Sequence, residues 1–489
     1  MDAGLIAWTA LGVVIGVLVG AVPGLTGAMV IALTLPLTFG MEPTPALALL
    51  VAMYVGSVSG GLITATLLRI PGTPASIITT LDGYPMARDG RPGRALGLGI
   101  VASLFGGVSA WVVLVCLARP LADWSTEMGP ADMFSLVMLA LVLIAVVSRE
   151  SMIKGLFAGA LGVLCAIPGQ HPATGQARMT YGIPDLGDGF KLLPVLLGMF
   201  AVSQVLKDIC DLNQSAERIE AKSDGMFIKV SEWSKQWVNL IRSSALGAIV
   251  GVLPGVGANV GSILAYGTAK AQSKTPEEFG KGCDDGIVAS ESANNATVGG
   301  ALVPLVALGI PGSVIDAILL GALVIHGLQP GPLLFTNNPE VVKTIMNTYL
   351  LANIIMFAFM FAAARYIAGL SRVPKGILIP IILTFCVVGS YALANRMFDV
   401  WVMLGFGLIG FGLMQAKVPL APFVIGFVLA PMAEENLAAM LMLSAGSWAP
   451  LVSRPVSLCL LVVSALLLLT VAMRRRPDSQ QNSPDASST

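Results

Sequence analysis

Val19-Gly-Ala-Val-Pro-Gly-Leu-Thr-Gly-Ala28 and Val250-Gly-Val-Leu-Pro-Gly-Val-Gly-Ala-Asn259 read as one device written twice: an apolar helix broken by Pro-Gly and then resumed. Farther along, Gly60-Gly-Leu-Ile-Thr-Ala-Thr-Leu-Leu-Arg-Ile-Pro-Gly72 resembles Gly300-Ala-Leu-Val-Pro-Leu-Val-Ala-Leu-Gly-Ile-Pro-Gly312. Pro23 matches Pro254, Gly24 matches Gly255, Pro71 matches Pro311 and Gly72 matches Gly312, so each half carries two Pro-Gly breaks in the same order. A single such match means little in a glycine-rich membrane chain; the ordered set of four carries the reading. Proline removes a backbone donor and glycine permits the turn that follows.

The surroundings of these breaks are hydrocarbon-like. Of 489 residues, 55% are hydrophobic and 11% charged, against roughly 25% charged in a soluble domain. Lys plus Arg and Asp plus Glu are 28 each, for a net charge of +0. This excludes a soluble globular enzyme, a disordered chain and a nucleic-acid binder with a basic face, and puts the bulk of the chain in a lipid bilayer. Charge-free runs such as 5–38, 97–117, 344–364, 376–394, 400–414 and 456–473 predict an all-α polytopic membrane protein with about 11 or 12 membrane segments, some short ones re-entrant. The first run lacks a basic start and a cleavage signal, so it reads as a retained helix. Arg474, Arg475 and Arg476 after the last run, and Arg88, Arg91 and Arg94 in one short loop, predict that both lie on the cytoplasmic side. The division expected is a first transmembrane half at 1–206, a polar connecting segment at 207–241, a second half at 242–473 and a disordered tail at 474–489. The connecting segment carries Trp233 and Trp237 on one helix face, which suits an interfacial amphipathic helix or a soluble hairpin. About seven spans before the second repeat would make the two halves inverted. The six cysteines form no C-x-x-C pair and read as small buried hydrophobes, and the two histidines, His171 and His326, belong to no metalloprotease motif.

In a membrane, backbone groups freed at a break must face protein or a water-filled cavity, and corresponding broken helices in two halves mark the site of a secondary transporter. Helix N-termini there suit a carboxylate, and exposed carbonyls suit a cation. The candidate substrate-binding residues are Gly24, Thr26, Arg69, Gly72, Thr73, Ser76, Gly255, Asn259, Asn294, Asn295, Gly312 and Ser313. The candidates for cation coupling are Ser57, Ser59, Glu291, Asn294, Asn295, Thr297 and Asp316. Glu291 and Asn295 are four apart and share a helix face; the alternative for their cluster is a solvated helix cap. Isolated hydroxyls commonly bond back to helix carbonyls instead. Arg69, in an apolar stretch, either grips a substrate carboxylate or pairs with an acid of the protein, Asp316 being the obvious partner. His326 reads as a packed, hydrogen-bonded residue, and Asp284 and Asp285 as solvated loop residues.

The chain resembles the large membrane subunit of the tripartite tricarboxylate transporter family, the TctA type. The resemblance rests on Pro23-Gly-Leu-Thr-Gly27, Ile70-Pro-Gly-Thr-Pro-Ala-Ser76, Leu81-Asp-Gly-Tyr-Pro-Met-Ala-Arg88, Leu253-Pro-Gly-Val-Gly-Ala258, Ser292-Ala-Asn-Asn-Ala296, Leu308-Gly-Ile-Pro-Gly-Ser313 and His326-Gly-Leu-Gln-Pro-Gly-Pro-Leu-Leu-Phe335. It implies a bacterial inner-membrane permease importing a carboxylate, driven by Na⁺ or H⁺, with a small four-span membrane subunit and a periplasmic solute-binding protein as partners. It implies no enzyme, no nucleic acid and no cofactor beyond the coupling ion. Family members usually carry Asn where this chain has Arg69, and small hydroxyl residues near Val314-Ile-Asp316, so citrate itself is not assigned. The competing readings are an intramembrane serine hydrolase and a passive channel. The first is weakened because Val55-Gly-Ser-Val-Ser-Gly60 puts Val58 where G-x-S-x-G needs Ser.

Overall fold

The computed structural model describes residues 2–22, 24–147, 152–171, 174–210, 225–367 and 375–473, so the expected tail at 474–489 lies outside the described residues. The first half runs α1 (Ala3–Gly20), α2 (Gly27–Thr34), α3 (Pro43–Leu68), α4 (Thr79–Arg88), α5 (Pro92–Ser125), α6 (Pro130–Val147), α7 (Met152–Ala166), α8 (Leu192–Leu196) and α9 (Ser203–Cys210), the last two joined by a π turn. The second runs α10 (Val230–Val252), α11 (Gly257–Gln272), α12 (Asp284–Leu308), α13 (Val314–Ile325), α14 (Pro332–Asn337), α15 (Pro339–Ile367), α16 (Lys375–Ala392), α17 (Met397–Gln415), α18 (Leu420–Leu443), α19 (Pro450–Ser453) and α20 (Pro455–Met473). Among the described residues the only strands are β1 (Gly169–Gln170) and β2 (Ala177–Arg178), paired as one small hairpin. The protein is an all-α polytopic membrane protein. Among the described residues seven helices are long and apolar enough to cross a bilayer, and six shorter apolar helices accompany them. The segment expected to connect the halves, 207–241, starts inside α9 and ends inside α10, with 211–224 outside the described residues.

Small residues set the packing. A Cβ on Gly12, Gly16 or Gly20 of α1 would run into the carbonyls of Leu49, Met53 and Ser57 of α3, and one on Gly56 or Gly60 into those of Val13 and Val17. The numbers rise together on both helices, so α1 and α3 run parallel in backbone contact, and α2 returns between them. The second half repeats the arrangement: Gly247 and Gly251 of α10 lie on the carbonyls of Ala293 and Thr297 of α12, and Gly300 lies on that of Ala248. Without a side chain in the way, backbones approach until dispersion and weak C–H···O contacts hold them. The hydrophobic window of α3 is 100% buried, so this helix is wrapped by protein and faces no lipid.

Between the halves the contacts run in opposite senses. Thr38, before α3, touches His326, after α13, at 3.1 Å, so the histidine is packed and hydrogen-bonded as expected. Ser59 in mid-α3 bonds Asn295 of α12, and Thr79, after α3, meets Ser290 and Glu291 near the start of α12. The helices α3 and α12 are therefore antiparallel. Each break also crosses over: α13 packs on α2 and α3, while the 3-10 turn Pro74–Ile77 packs on α11 and α12.

Three sequence expectations change. Asp284 and Asp285 are the first residues of α12; Asp284 pairs with Arg94 at 2.5 Å, and Asp285 accepts from Gln236. Cys116, Cys210 and Cys459 are exposed, so only some of the six free cysteines are buried hydrophobes. Trp233 and Trp237 belong to α10, a single helix that continues to the first break of the second half.

Gly16→Leu is expected to overpack the α1–α3 contact by about 1–3 kcal/mol, lowering the midpoint of thermal unfolding in detergent. Gly405→Leu, at a glycine with nothing within 4 Å, should leave that midpoint in place.

Candidate functional site at the helix breaks

Both long central helices end the same way. The left-handed cap of α3 is Arg69 (φ 57), followed by Ile70-Pro71-Gly72 and by Thr73, whose side chain accepts from Ser76 N–H in a capping box. The left-handed cap of α12 is Gly309 (φ 70), followed by Ile310-Pro311-Gly312 and by Ser313, whose hydroxyl accepts from Asp316 N–H at 3.3 Å. Glycine and asparagine tolerate this conformation best, which explains why an arginine at the first cap is the unusual choice. The glycine after each proline is pressed onto the other break of its own half. A Cβ on Gly72 would strike Gly20 O and come within 2.8 Å of Gly61 Cα, and one on Gly312 would lie 3.1 Å from Gly251 O and 2.9 Å from Ala301 Cβ. The tips of the first breaks turn at Gly24 (φ 92) and Gly255 (φ 75); Pro23 lies outside the described residues. Thr26 caps α2 by accepting from Met29 N–H at 3.2 Å. Thr26, Asn259 and Ser313 are half-buried.

The polar run of α12 lies deep inside the protein, so a solvated helix cap is ruled out: Glu291 and Asn294 are 0% exposed and Asn295 is 1% exposed. The Glu291 carboxylate accepts from Thr79 of α4 and, at 3.3 Å, from Ser103 of α5. Asn295 is fully committed. Its Oδ1 accepts from Ser59 at 2.7 Å, its Nδ2 donates to Glu291 O at 3.1 Å, and its carbonyl accepts from Tyr349 at 3.2 Å. Asn294, its neighbour, has no hydrogen-bond partner at either Nδ2 or Oδ1. Thr297 bonds back to Ala293 O, Ser57 to Tyr54 O and Thr64 to Gly61 O.

Arg69 and Asp316 do not pair. Arg69 is exposed and lies over the Tyr84 ring at 5.7 Å, whereas Asp316 is 0% exposed with no hydrogen-bond partner at either carboxylate oxygen. The left-handed cap turns the Arg69 side chain outward, away from the second half. Sequence reasoning also missed several members of the site. Tyr54 lies 3.1 Å from Ser313 Oγ, and the only signal for it was its place opposite Asn294 when the breaks are aligned. Thr79, Ser103, Tyr349 and Asp208, whose carboxylate faces the Gly24 tip, had no signal, because each reaches the site from a different helix. Asp82 had one in the quoted 81–88 motif. Its carboxylate accepts from the N–H groups of Gly280, Gly282 and Cys283 at 2.8–2.9 Å and from Tyr266 at 2.8 Å, tying α4 to the turn that opens α12.

A polytopic helical membrane protein with paired, antiparallel broken helices and buried polar groups at their ends is the architecture the structure defines. The chain belongs to the tripartite tricarboxylate transporter TctA family, whose model matches residues 6–425. That is a transporter family, not an enzymatic one, and its tripartite character implies further subunits. The chain is 32% identical over 476 residues to an uncharacterised 52.8 kDa protein of the TAR-I ttuC′ 3′ region of Agrobacterium vitis, covering 97% of this chain and 95% of that protein. It is also 32% identical over 235 residues to an uncharacterised protein of the TAR-II ttuC′ 3′ region of the same organism, covering 47% of this chain and 97% of that protein. No solved structure matches.

Asn295→Ala is expected to cost about 1–3 kcal/mol, because it strands buried partners, and to lower the unfolding midpoint in detergent; Asn294→Ala, which removes an amide with no completed hydrogen bond, should not lower it. Since Arg69 and Asp316 share no contact, the stability effects of Arg69→Ala and Asp316→Ala should add to within about 0.5 kcal/mol in a double-mutant cycle.

Proposed function

We propose that the chain is the permease subunit of a binding-protein-dependent secondary transporter that imports a carboxylate, a tricarboxylate or related organic acid, by cation symport across the bacterial inner membrane. Its partners in this reading are a small four-span membrane subunit and a periplasmic solute-binding protein. The observation that carries the reading is Asn294: a 0% exposed amide in the middle of α12, beside the Glu291 carboxylate, with no hydrogen bond completed at either polar atom. Buried polar groups are normally satisfied, and in a membrane interior leaving them bare costs several kcal/mol. Such a group is kept for a visitor that supplies the missing bonds. The amide offers both a donor and an acceptor, and the capped helix starts at Thr26, Thr73 and Ser313 add N–H groups and partial positive charge for an anion.

The antiparallel α3 and α12, each ending in the same left-handed cap and Ile-Pro-Gly turn, support reading the chain as two inverted repeats, the first within 1–206 and the second within 242–473. The basic loop at Arg88, Arg91 and Arg94 lies at the Asp284 end of α12, and the positive-inside rule makes that end cytoplasmic. A serine hydrolase lacks support: Ser57 donates to a helix carbonyl, Ser59 to Asn295, and His326 to neither, being held by Thr38.

Uptake into membrane vesicles tests the reading, with a panel of radiolabelled di- and tricarboxylates as probes. Accumulation should require an ion gradient and the solute-binding protein, and Asn294→Ala should reduce it at least about tenfold, the scale of a lost buried hydrogen-bond set, while the variant still inserts. Equal uptake with neither gradient nor binding protein would sink the proposal.

A further inference from the structure

The protein buries two carboxyl groups near its breaks and treats them differently. Glu291 is held by two hydroxyl donors from α4 and α5. Asp316 meets no donor from another helix and faces only its own cap at Ser313. Its counterpart, 240 positions earlier by the alignment of the Ile-Pro-Gly turns, is Ser76, which returns a bond to the Thr73 backbone and closes a capping box. In the second half the forward bond is the one that reaches hydrogen-bond geometry: Ser313 Oγ accepts from Asp316 N–H, while the 0% exposed carboxylate faces its own cap without a bond completed at either oxygen.

The main helices packed against α13 carry no basic residue, and the cations Arg178, Lys191 and Arg396 line the cavity beside its later turns. Those helices are α2, α3, α8, α12 and α18. The sequences of α2 and α8 hold no titratable residue, and α3 brings only Tyr54, whose hydroxyl is spent on Ser313. The acids of α12 are Asp284 and Asp285 in its first turn and the tethered Glu291. From α18 come Glu434, bonded to Arg178, and Glu435. A bare carboxylate among these groups would be far costlier than a neutral acid.

Asp316 also has a way out. A cavity of about 970 Å³ opens at the end of α12 opposite the basic loop, and it is lined by Leu320, Gly321, Val324 and Ile325 of α13. Leu320 and Val324 follow Asp316 at four-residue steps, on one helix face. Asp316 thus lies one turn along α13, about 5.4 Å of rise, from the lining residue Leu320. The floor is apolar: Leu192 closes over Gly321, with its Cδ2 2.8 Å from where a Cβ would stand.

We propose that Asp316 is the proton carrier that couples transport to a proton gradient. Its carboxylate takes one proton from hydronium in the cavity, crosses as the neutral acid, and loses the O–H proton to water on the opposite side. The positive end of α13 supports the anion while the site is open. This rests on the permease reading above and goes beyond it by naming the ion and its carrier.

The test has two arms. With the full chain in its native membrane, dicyclohexylcarbodiimide, which modifies protonated carboxyls in apolar surroundings, should label Asp316, with labelling that falls as pH rises and is unaffected by Na⁺. Protection by Na⁺, or no adduct at Asp316, overturns the proposal, and this arm needs no transported substrate. In vesicles, one pH unit across the membrane supports about tenfold accumulation per coupled proton, so D316N should lower pH-driven accumulation relative to solute exchange by about that factor, and Asp316→Glu should restore the dependence on pH. Undiminished pH-driven accumulation in D316N overturns the proposal while leaving the permease reading intact. Wild-type vesicles that accumulate none of the carboxylates would overturn the permease reading, and the labelling arm would still report on Asp316.

Discussion

The structure depends on backbone lying directly against backbone. Gly12, Gly16 and Gly20 seat α1 on the carbonyls of α3, and Gly247 and Gly251 seat α10 on those of α12. Lipid tails are as apolar as leucine, so helices in a membrane gain little from burying hydrocarbon against each other; close contact between small residues supplies the attraction instead. The contact runs right up to the break, since Gly20 lies on Ser57 and Gly251 on Thr297. Broken helix ends, costly anywhere else in hydrocarbon, are thereby delivered to the protein interior where other residues can satisfy them.

That delivery decides where polarity is tolerated. Once α3 and α12 are antiparallel and wrapped by protein, their middles become a place for amides and carboxyls that lipid would not accept. Ser59, Asn295, Glu291, Thr79 and Ser103 link four helices there through hydrogen bonds. A network this complete rigidifies its surroundings. Against it, the unpartnered Asn294 and Asp316 stand out as groups the fold holds in place but leaves unsatisfied. On the cytoplasmic side of this reading, Asp82 gathers three backbone N–H groups and a tyrosine hydroxyl, so the two halves are joined there by one buried acid.

Much of this was legible in the chain. The Pro-Gly breaks, their order and their pairing follow from residue types with strict backbone consequences. The sequence of the 290–297 run pointed to a functional cluster and left a solvated cap as the alternative; its burial came with the fold. Other features were not legible. Asn294 and Asn295 are adjacent and chemically identical, yet one is fully bonded and the other bare, because successive residues on a helix point about 100° apart and meet different neighbours. Arg69 and Asp316 looked like partners when placed on matching breaks, but the left-handed cap at φ 57 turns one outward while the capping turn buries the other.

Sequence thus settles what is local: a membrane chain of helices interrupted at Pro-Gly, with hydroxyl caps after each Ile-Pro-Gly turn. Proline, glycine and a run of hydrocarbon impose these outcomes through one residue's own backbone and its transfer from water. Which polar atoms end up satisfied is decided only by tertiary contacts, because Thr79, Ser103, Tyr54 and Tyr349 arrive from separate helices at distances no linear spacing encodes. A hydrogen bond needs its partner within about 3 Å, and only the packed fold brings the atoms that close.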